Sequence, residues 1–324
     1  YFSRNEIEDA GWAGAVGLWG VGVRPEDRVV SAFDYSLWVS GPVLQASCKV
    51  LGCFHIEASR MSPEDFYERV ADYRVSVIVG DPSWLLRLSE IAERKGAWPI
   101  KLLIGGGENL TEEARRYMEG VWKADFILSY GQTEAFGAIG MESLAKEGYH
   151  LNEFHNFFEI IHPDENGYGE LVYTTLNRRV MPLVRYRSGD STRFLQGSSK
   201  SGMPGRRIEK LRGRLDAWTP TAVGNLTPWM FEAVFSKVPG ITQDWQVAVD
   251  KRGNKDFLEF RMEAVDVSEH SEIKERFMEL FQNELPDVWK LCQMQLCTMD
   301  TKVLLKGTLR TQRKLKRIQD DRKF

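Results

Sequence analysis

Val75-Ser76-Val77-Ile78-Val79, followed by a helix start at Ser83 and a short apolar strand at Leu102-Leu103-Ile104, is the stretch that decides the fold. Its nearly continuous β-branched run has no alternating polar face, which marks a strand covered on both sides in a parallel sheet. Upstream, Ser62-Pro63-Glu64-Asp65 caps a helix with proline at its first position. Before it, Cys53 to Ile56 reads as a strand, Gly41 to Leu51 as a helix and Arg28-Val29-Val30-Ser31-Ala32 as a buried strand. The first helix opens on a capping box, Ser3 with Glu6, and continues through the small apolar residues from Ala10 to Val21. Downstream, Ser83 to about Lys95 is a helix, Thr111-Glu112-Glu113 starts another, and Phe126 to Ser129 is the next strand. Strands alternating with helices force parallel pairing through right-handed crossovers. Residues 1 to about 140 are therefore expected to build a wound α/β sheet with ligands beyond the strand carboxyl ends.

From Gly148 the pattern changes. Phe157 to Ile161, Glu170 to Thr174 and Val184 to Tyr186, separated by Asp164-Glu165-Asn166-Gly167, predict antiparallel hairpins and a β-rich subdomain. Gly, Ser and Pro accumulate between Gln196 and Arg207, a mobile loop ahead of Arg212-Gly213-Arg214-Leu215-Asp216. The domain boundary is placed near Asp216, giving a large domain over residues 1–215 and a small, mobile α+β domain over 216–324. The small domain is read as a helix from Pro228, strands at Trp245 to Val249 and Phe257 to Met262, a helix through Glu272 to Gln282, a strand at Gln293 to Cys297, and a basic tail.

At 324 residues the chain exceeds the roughly 100–200 that one core usually covers. Its 43% hydrophobic and 27% charged residues exclude a disordered chain, and a net charge of −3 supplies no bulk attraction for nucleic acid or an anionic membrane. Small ligands held by local geometry are the expected partners, and a homodimer is left open. The 4 cysteines, Cys48, Cys53, Cys292 and Cys297, form no CxxC pair and read as packed, inert thiols. No run approaches the ~18 apolar residues of a membrane span, and acids stand where a signal peptide has its apolar core, so a cytoplasmic location is expected. The chain opens on Tyr1 within a few residues of a helix cap, and residues are expected to precede it.

Four segments carry candidate chemistry. Gly105-Gly106-Gly107-Glu108 follows a strand; glycines there admit close approach of a flat or phosphorylated ligand, and they equally make a plain turn. Tyr130-Gly131-Gln132-Thr133-Glu134 sets an aromatic plane for a base, a hydroxyl for phosphate and a carboxylate for Mg²⁺ at one strand end; the bland reading is a polar helix-start loop. Leu183-Val184-Arg185-Tyr186-Arg187-Ser188-Gly189-Asp190 ends a strand on an acid suited to ribose hydroxyls, or on a turn aspartate. Gly213-Arg214-Leu215-Asp216 offers a guanidinium fork beside a flexible glycine, or a surface arginine.

Taken in this order, the segments resemble the AMP-forming adenylating enzymes, and within them the phenylacetate–coenzyme A ligase-like branch. Gly105 to Glu108 is similar to the family's GAE-type adenine loop and Tyr130 to Glu134 to its YGxTE motif. Met181-Pro182-Leu183-Val184-Arg185-Tyr186-Arg187-Ser188-Gly189-Asp190 is similar to PLIRYRTGD, and Lys210 to Asp216 to the KIxGRxDD hinge. Thr311-Gln312-Arg313-Lys314-Leu315-Lys316-Arg317 resembles the closing SxGKxxR motif, although a basic tail is commonly a solvated face. The resemblance implies conversion of a carboxylic acid, in all expectation aromatic or apolar, with ATP to acyl-AMP and pyrophosphate, then thioester formation with coenzyme A. It implies Lys314, Glu134 and Thr133 as catalytic residues, with Glu134 on Mg²⁺. For the nucleotide it implies Gly106, Gly107, Glu108, Tyr130, Gly131, Asp190 and Arg214. The acyl pocket would be lined by Phe33, Tyr35, Trp38, Ala135, Phe136 and Gly137, and Asp216 would be the hinge. The family's Ser/Thr/Gly-rich phosphate loop would lie before Ser3. Two other readings compete: an adenylating enzyme of secondary metabolism that passes, for example, a phenazine-type acyl-AMP to another acceptor, and a degenerate nucleotide-binding protein.

Overall fold

A computed structural model describes residues 1–33, 35, 38–59, 61–203, 205–215, 219–253, 255–266, 268, 270–310 and 315–322. The chain forms two compact units, Tyr1–Leu211 and Arg212–Phe324. Among the described residues, no helix is long and apolar enough to cross a membrane.

The first unit begins with α1 (Arg4–Gly20), β1 (Arg28–Ser31), α2 (Ser40–Leu51), β2 (Phe54–Glu57), α3 (Pro63–Val70), β3 (Val77–Gly80), α4 (Pro82–Lys95), β4 (Leu102–Gly106) and α5 (Glu112–Trp122). It continues with β5 (Asp125–Gln132), β6 (Gly137–Glu142), β7 (Tyr149–Leu151), β8 (Asn156–Ile161), β9 (Gly169–Thr175), β10 (Tyr186–Thr192), β11 (Phe194–Leu195) and β12 (Arg207–Ile208). The caps that the sequence announces are made: Ser3 and Glu6 close a reciprocal capping box, Ser62 accepts from the Asp65 amide at 3.1 Å, and Thr111 accepts from Ala114 at 3.2 Å.

One large sheet runs β11-β12-β7-β6-β5-β4-β3-β1-β2. From β2 to β5 every pairing is parallel, and from β5 outward every pairing is antiparallel. All of β3 is buried, with aliphatic clusters on its two faces: Ile78 packs with Leu85, Leu103 and Phe126, while Val77 and Val79 pack with Leu44, Ile104 and Ile127. A second, antiparallel layer has the order β10-β9-β8.

Two expectations are corrected in this unit. Tyr130, Gly131 and Gln132 do not lie in a loop, because β5 continues through them and pairs with β6 in a tight hairpin. Asp190 does not end a strand; it lies inside β10, whose register shifts between Arg187 and Ser191.

The second unit contains β13 (Gly213–Arg214), β14 (Thr219–Thr221), β15 (Gly224–Leu226), α6 (Pro228–Phe235), β16 (Ile241–Arg252), β17 (Lys255–Ala264), α7 (His270–Glu284), α8 (Pro286–Gln293), β18 (Cys297–Leu305) and β19 (Ile318–Asp320). Its four-stranded sheet has the order β18-β17-β16-β19. The core is aromatic: Phe260 lies 5.0 Å from Phe277 and 5.0 Å from Phe281, and Phe235 stacks on Trp245 at 4.4 Å. Gln293 ends a helix and does not begin a strand, since the alternating stretch that pairs with β17 starts only at Cys297. Cys48, Cys292 and Cys297 are buried and Cys53 half-buried, all as free thiols.

Candidate active site

β4 ends alongside β5, with Gly106 in register with Ser129, and β5 runs on to Gln132. The glycines of β4 are required by packing. A Cβ on Gly105 would stand 2.5 Å from Cζ of Phe126, and one on Gly106 would stand 2.7 Å from Oγ of Ser129 and 3.3 Å from Cζ of Phe33. Gly107 turns the chain at φ +84°, a region that favours glycine. Glu108 then reaches back: its Oε2 accepts from the Ser83 amide at 3.1 Å and closes the N-terminus of α4, whose N-cap Asp81 makes no side-chain cap.

Tyr130 and Asp190, 60 residues apart, meet in the interior. The Tyr130 hydroxyl donates to Oδ2 of Asp190 at 2.5 Å, and Nε2 of Gln132 donates to the same oxygen at 2.7 Å and to the Ser188 carbonyl at 3.1 Å. Tyr173 donates to Oε1 of Gln132 at 3.1 Å, and the Asp190 amide donates to Oγ of Ser188 at 3.0 Å. Tyr130 is only 7% exposed and packs on Tyr149, with ring centroids 5.8 Å apart. It therefore offers no open stacking face for a base in this structure. Burial, followed by the neighbouring Asp190 charge, pushes its hydroxyl well above the usual phenol range and keeps it a donor.

The hairpin turn carries Thr133 and Glu134, both exposed. It closes with the Phe136 amide on the Thr133 carbonyl at 3.0 Å. Phe136 adopts φ +59°, which costs a non-glycine residue roughly 1–2 kcal/mol, and is buried with Ala10 and Val43. Gly137 follows at φ +105°, where a Cβ would stand 3.0 Å from Cγ1 of Val43. Gly131 has no room for a side chain, since a Cβ would lie 2.4 Å from the Gly137 carbonyl oxygen.

Arg178, on the segment after β9, donates through Nη1 to the Glu134 carbonyl and through Nη2 to the Tyr1 carbonyl at 3.1 Å. Glu6 of α1 accepts from the amides of Arg179 at 2.8 Å and Val180 at 3.2 Å. Burial opposes the Glu6 charge, but these amides and Ser3 prevail and lower its carboxyl to about 2. Glu6, Arg178, Ala135, Phe136, His155 and Asn156 help line a small cavity of about 20 Å³. Gln132, Arg178 and Glu6 were not singled out by sequence reasoning as site residues. Gln132 lay inside a quoted motif and Glu6 was assigned only as a cap; Arg178 carried no signal.

Tyr35 is turned toward β2, its hydroxyl 3.3 Å from Nε2 of His55. Burial pushes the Tyr35 hydroxyl up to about 12 and His55 down to about 4, so both are neutral at pH 7. Trp38 is 47% exposed. His155 is lowered by burial, and Glu153 pairs with Arg206 at 2.6 Å. Arg214 is exposed on β13 in the second unit. Lys314 and Asp216 lie outside the described residues.

Among the described residues no three His, Cys, Asp or Glu side chains gather into a metal cage. A single exposed carboxylate with a neighbouring hydroxyl, Glu134 with Thr133, fits Mg²⁺ delivered on phosphate oxygens, since this hard ion keeps most of its waters and takes one or two carboxylates.

Residues 224–322 match the AMP-binding enzyme C-terminal domain model. The chain is 31% identical over 276 residues to phenylacetate–coenzyme A ligase of Pseudomonas putida, covering 81% of this chain and 62% of that protein. It is 28% identical over 282 residues to the Escherichia coli K12 ligase of the same name, covering 82% and 63%. The chain thus spans just over three-fifths of the length of the curated relatives it matches. Its fold matches 2-hydroxyisobutyryl-CoA ligase in the postadenylation state in complex with R3-HIB-AMP, with a TM-score of 0.81 and 19% identity over 99% of this chain and 71% of that one. The chain belongs to the phenylacetate–coenzyme A ligase-like branch of the AMP-forming adenylating enzymes.

Proposed function

We propose that the protein activates a carboxylic acid with ATP to an acyl-adenylate and then transfers the acyl group to coenzyme A, with an aromatic acid as substrate. The observation that carries the reading is the Tyr130–Asp190–Gln132 network, which joins two family motifs from different sheets beside the exposed Thr133 and Glu134. In adenylation, a carboxylate attacks the α-phosphate against like-charge repulsion, and pyrophosphate leaves. The site must therefore supply positive charge and donors aimed at the transferring group. Mg²⁺ bound to the phosphates would neutralise charge that no side chain of this turn offsets.

Glu134 holds that ion, and Thr133 donates its hydroxyl to phosphate. Asp190, steadied by Tyr130 and Gln132, accepts from the ribose hydroxyls. The backbone of Gly106, Gly107 and Glu108, together with Gly131, borders the adenine. By the family resemblance, Lys314 is the adenylating lysine and Asp216 the hinge residue. Tyr35, Trp38, Ala135, Phe136 and Gly137 border the acyl group.

The test is pyrophosphate release from the full-length protein with ATP, Mg²⁺ and a panel of aryl and alkyl acids, with and without coenzyme A. Pyrophosphate release with an aryl acid and a coenzyme A thioester as product bear the proposal out. An adenylate that forms but goes only to another acceptor assigns the second step to different chemistry. Silence across the panel sinks the proposal and leaves nucleotide binding alone.

A further inference from the structure

We propose that Arg178 is the positioning residue of the magnesium-binding turn, fixing Glu134 through its main chain so that its carboxylate points to the nucleotide phosphates. The inference rests on reading Glu134 as the magnesium ligand. The turn from Thr133 to Phe136 is strained: its two polar residues are exposed, and Phe136 sits at φ +59°. What opposes its relaxation is a buried guanidinium. Arg178 is 7% exposed and spends one arm on the Glu134 carbonyl, so the residue that presents its carboxylate to solvent has its backbone tied to the interior. The guanidinium also lies 4.5 Å over the ring of Phe2, which in turn lies 3.8 Å from the ring of Phe136.

The arginine is itself held by its neighbours. The two residues after it donate their amides to Oε1 of Glu6, which is 5% exposed and anchored in the capping box of α1. Glu6 thus locates the segment, the segment locates Arg178, and Arg178 locates Glu134. A guanidinium held at its base, with one arm on the Glu134 carbonyl and the other on the Tyr1 carbonyl, confines the backbone of the turn.

The test uses the full-length protein and two readouts. Without metal or nucleotide, hydrogen exchange of the Phe136 amide, which bonds to the Thr133 carbonyl, is expected to quicken about tenfold or more in Arg178→Ala. In adenylation assays the half-saturating Mg²⁺ concentration is expected to rise about tenfold or more, with Arg178→Lys within about threefold of the parent. If Arg178→Ala fails to fold, Arg178→Gln replaces it, and equal behaviour of the Gln and Lys variants overturns the inference. Unchanged exchange and unchanged Mg²⁺ dependence in a folded Arg178→Ala also overturn it. Glu134→Ala is the control for the underlying reading: if it keeps the parent's Mg²⁺ response, that reading fails whatever Arg178 does, while the exchange experiment still reports whether Arg178 orders the turn.

Discussion

Within the five residues Tyr130 to Glu134, the molecule divides into two regions with different duties. Tyr130 and Gln132 point into the protein and share a buried carboxylate oxygen of Asp190, whereas Thr133 and Glu134 stand in solvent. The inward half is held by hydrogen bonds whose loss strands a buried charge, so it governs stability and geometry together. The outward half contributes little to stability, because exposed side chains without partners rarely do. Its value is realised only when phosphates and metal arrive. A chain can thus hold a reactive carboxylate ready without burying it at a cost to folding.

The sharpest way to break the contrast is Glu134→Ala. It is expected to lower adenylation on the order of 100- to 1000-fold while the urea midpoint stays put; a large stability loss would show that the outward half is structural after all. Gly131→Ala should strike stability directly. Its Cβ would meet the Gly137 carbonyl oxygen at 2.4 Å, and a loss of roughly 3 kcal/mol or more is expected in equilibrium unfolding. Tyr130→Phe tests the shared border: removing one donor from Asp190 should cost about 1–3 kcal/mol of stability and raise the KM for ATP together. If only one of the two moves, the inward half does not serve both duties.

The contrast has one further test, which shows only when the pH is moved: the pH dependence from Glu6. Its folded carboxyl sits at about 2 against an ordinary 4.5, so the charged form stabilises the fold above pH 4.5, and that contribution is lost as the pH falls toward 2. Glu6→Gln should therefore be less stable than the parent at pH 7, with the gap narrowing below pH 4.5. Denaturant midpoints at pH 3 and pH 7 measure it, and a constant gap refutes the assignment.

Much of the wound sheet was legible in the sequence. The β-branched run at Val75 to Val79 and the caps at Ser3, Ser62 and Thr111 report local physics: the caps form as written, and the run gives β3, displaced to Val77–Gly80. The hairpin was not legible, because Gly137-Ala138-Ile139-Gly140-Met141-Glu142 has few of the branched residues that mark a strand; it pairs because glycines let the two strands approach. Glu108 was read for ligand chemistry, whereas its carboxylate caps α4 in the structure. Arg178 was invisible for another reason: an arginine bonded to a distant carbonyl leaves no trace in spacing.

The separation between Tyr130 and Asp190 also bears on how the site is born. Tyr130 opposes Gly140 across the hairpin, a closure between near neighbours that takes about 1–10 μs in isolated hairpins. Its bond to Asp190 spans 60 residues and must wait for the β8–β10 layer to dock. During refolding, the turn bearing Glu134 would therefore exist before the acid that completes it, and nucleotide affinity should be regained later than the strand signal in far-ultraviolet circular dichroism.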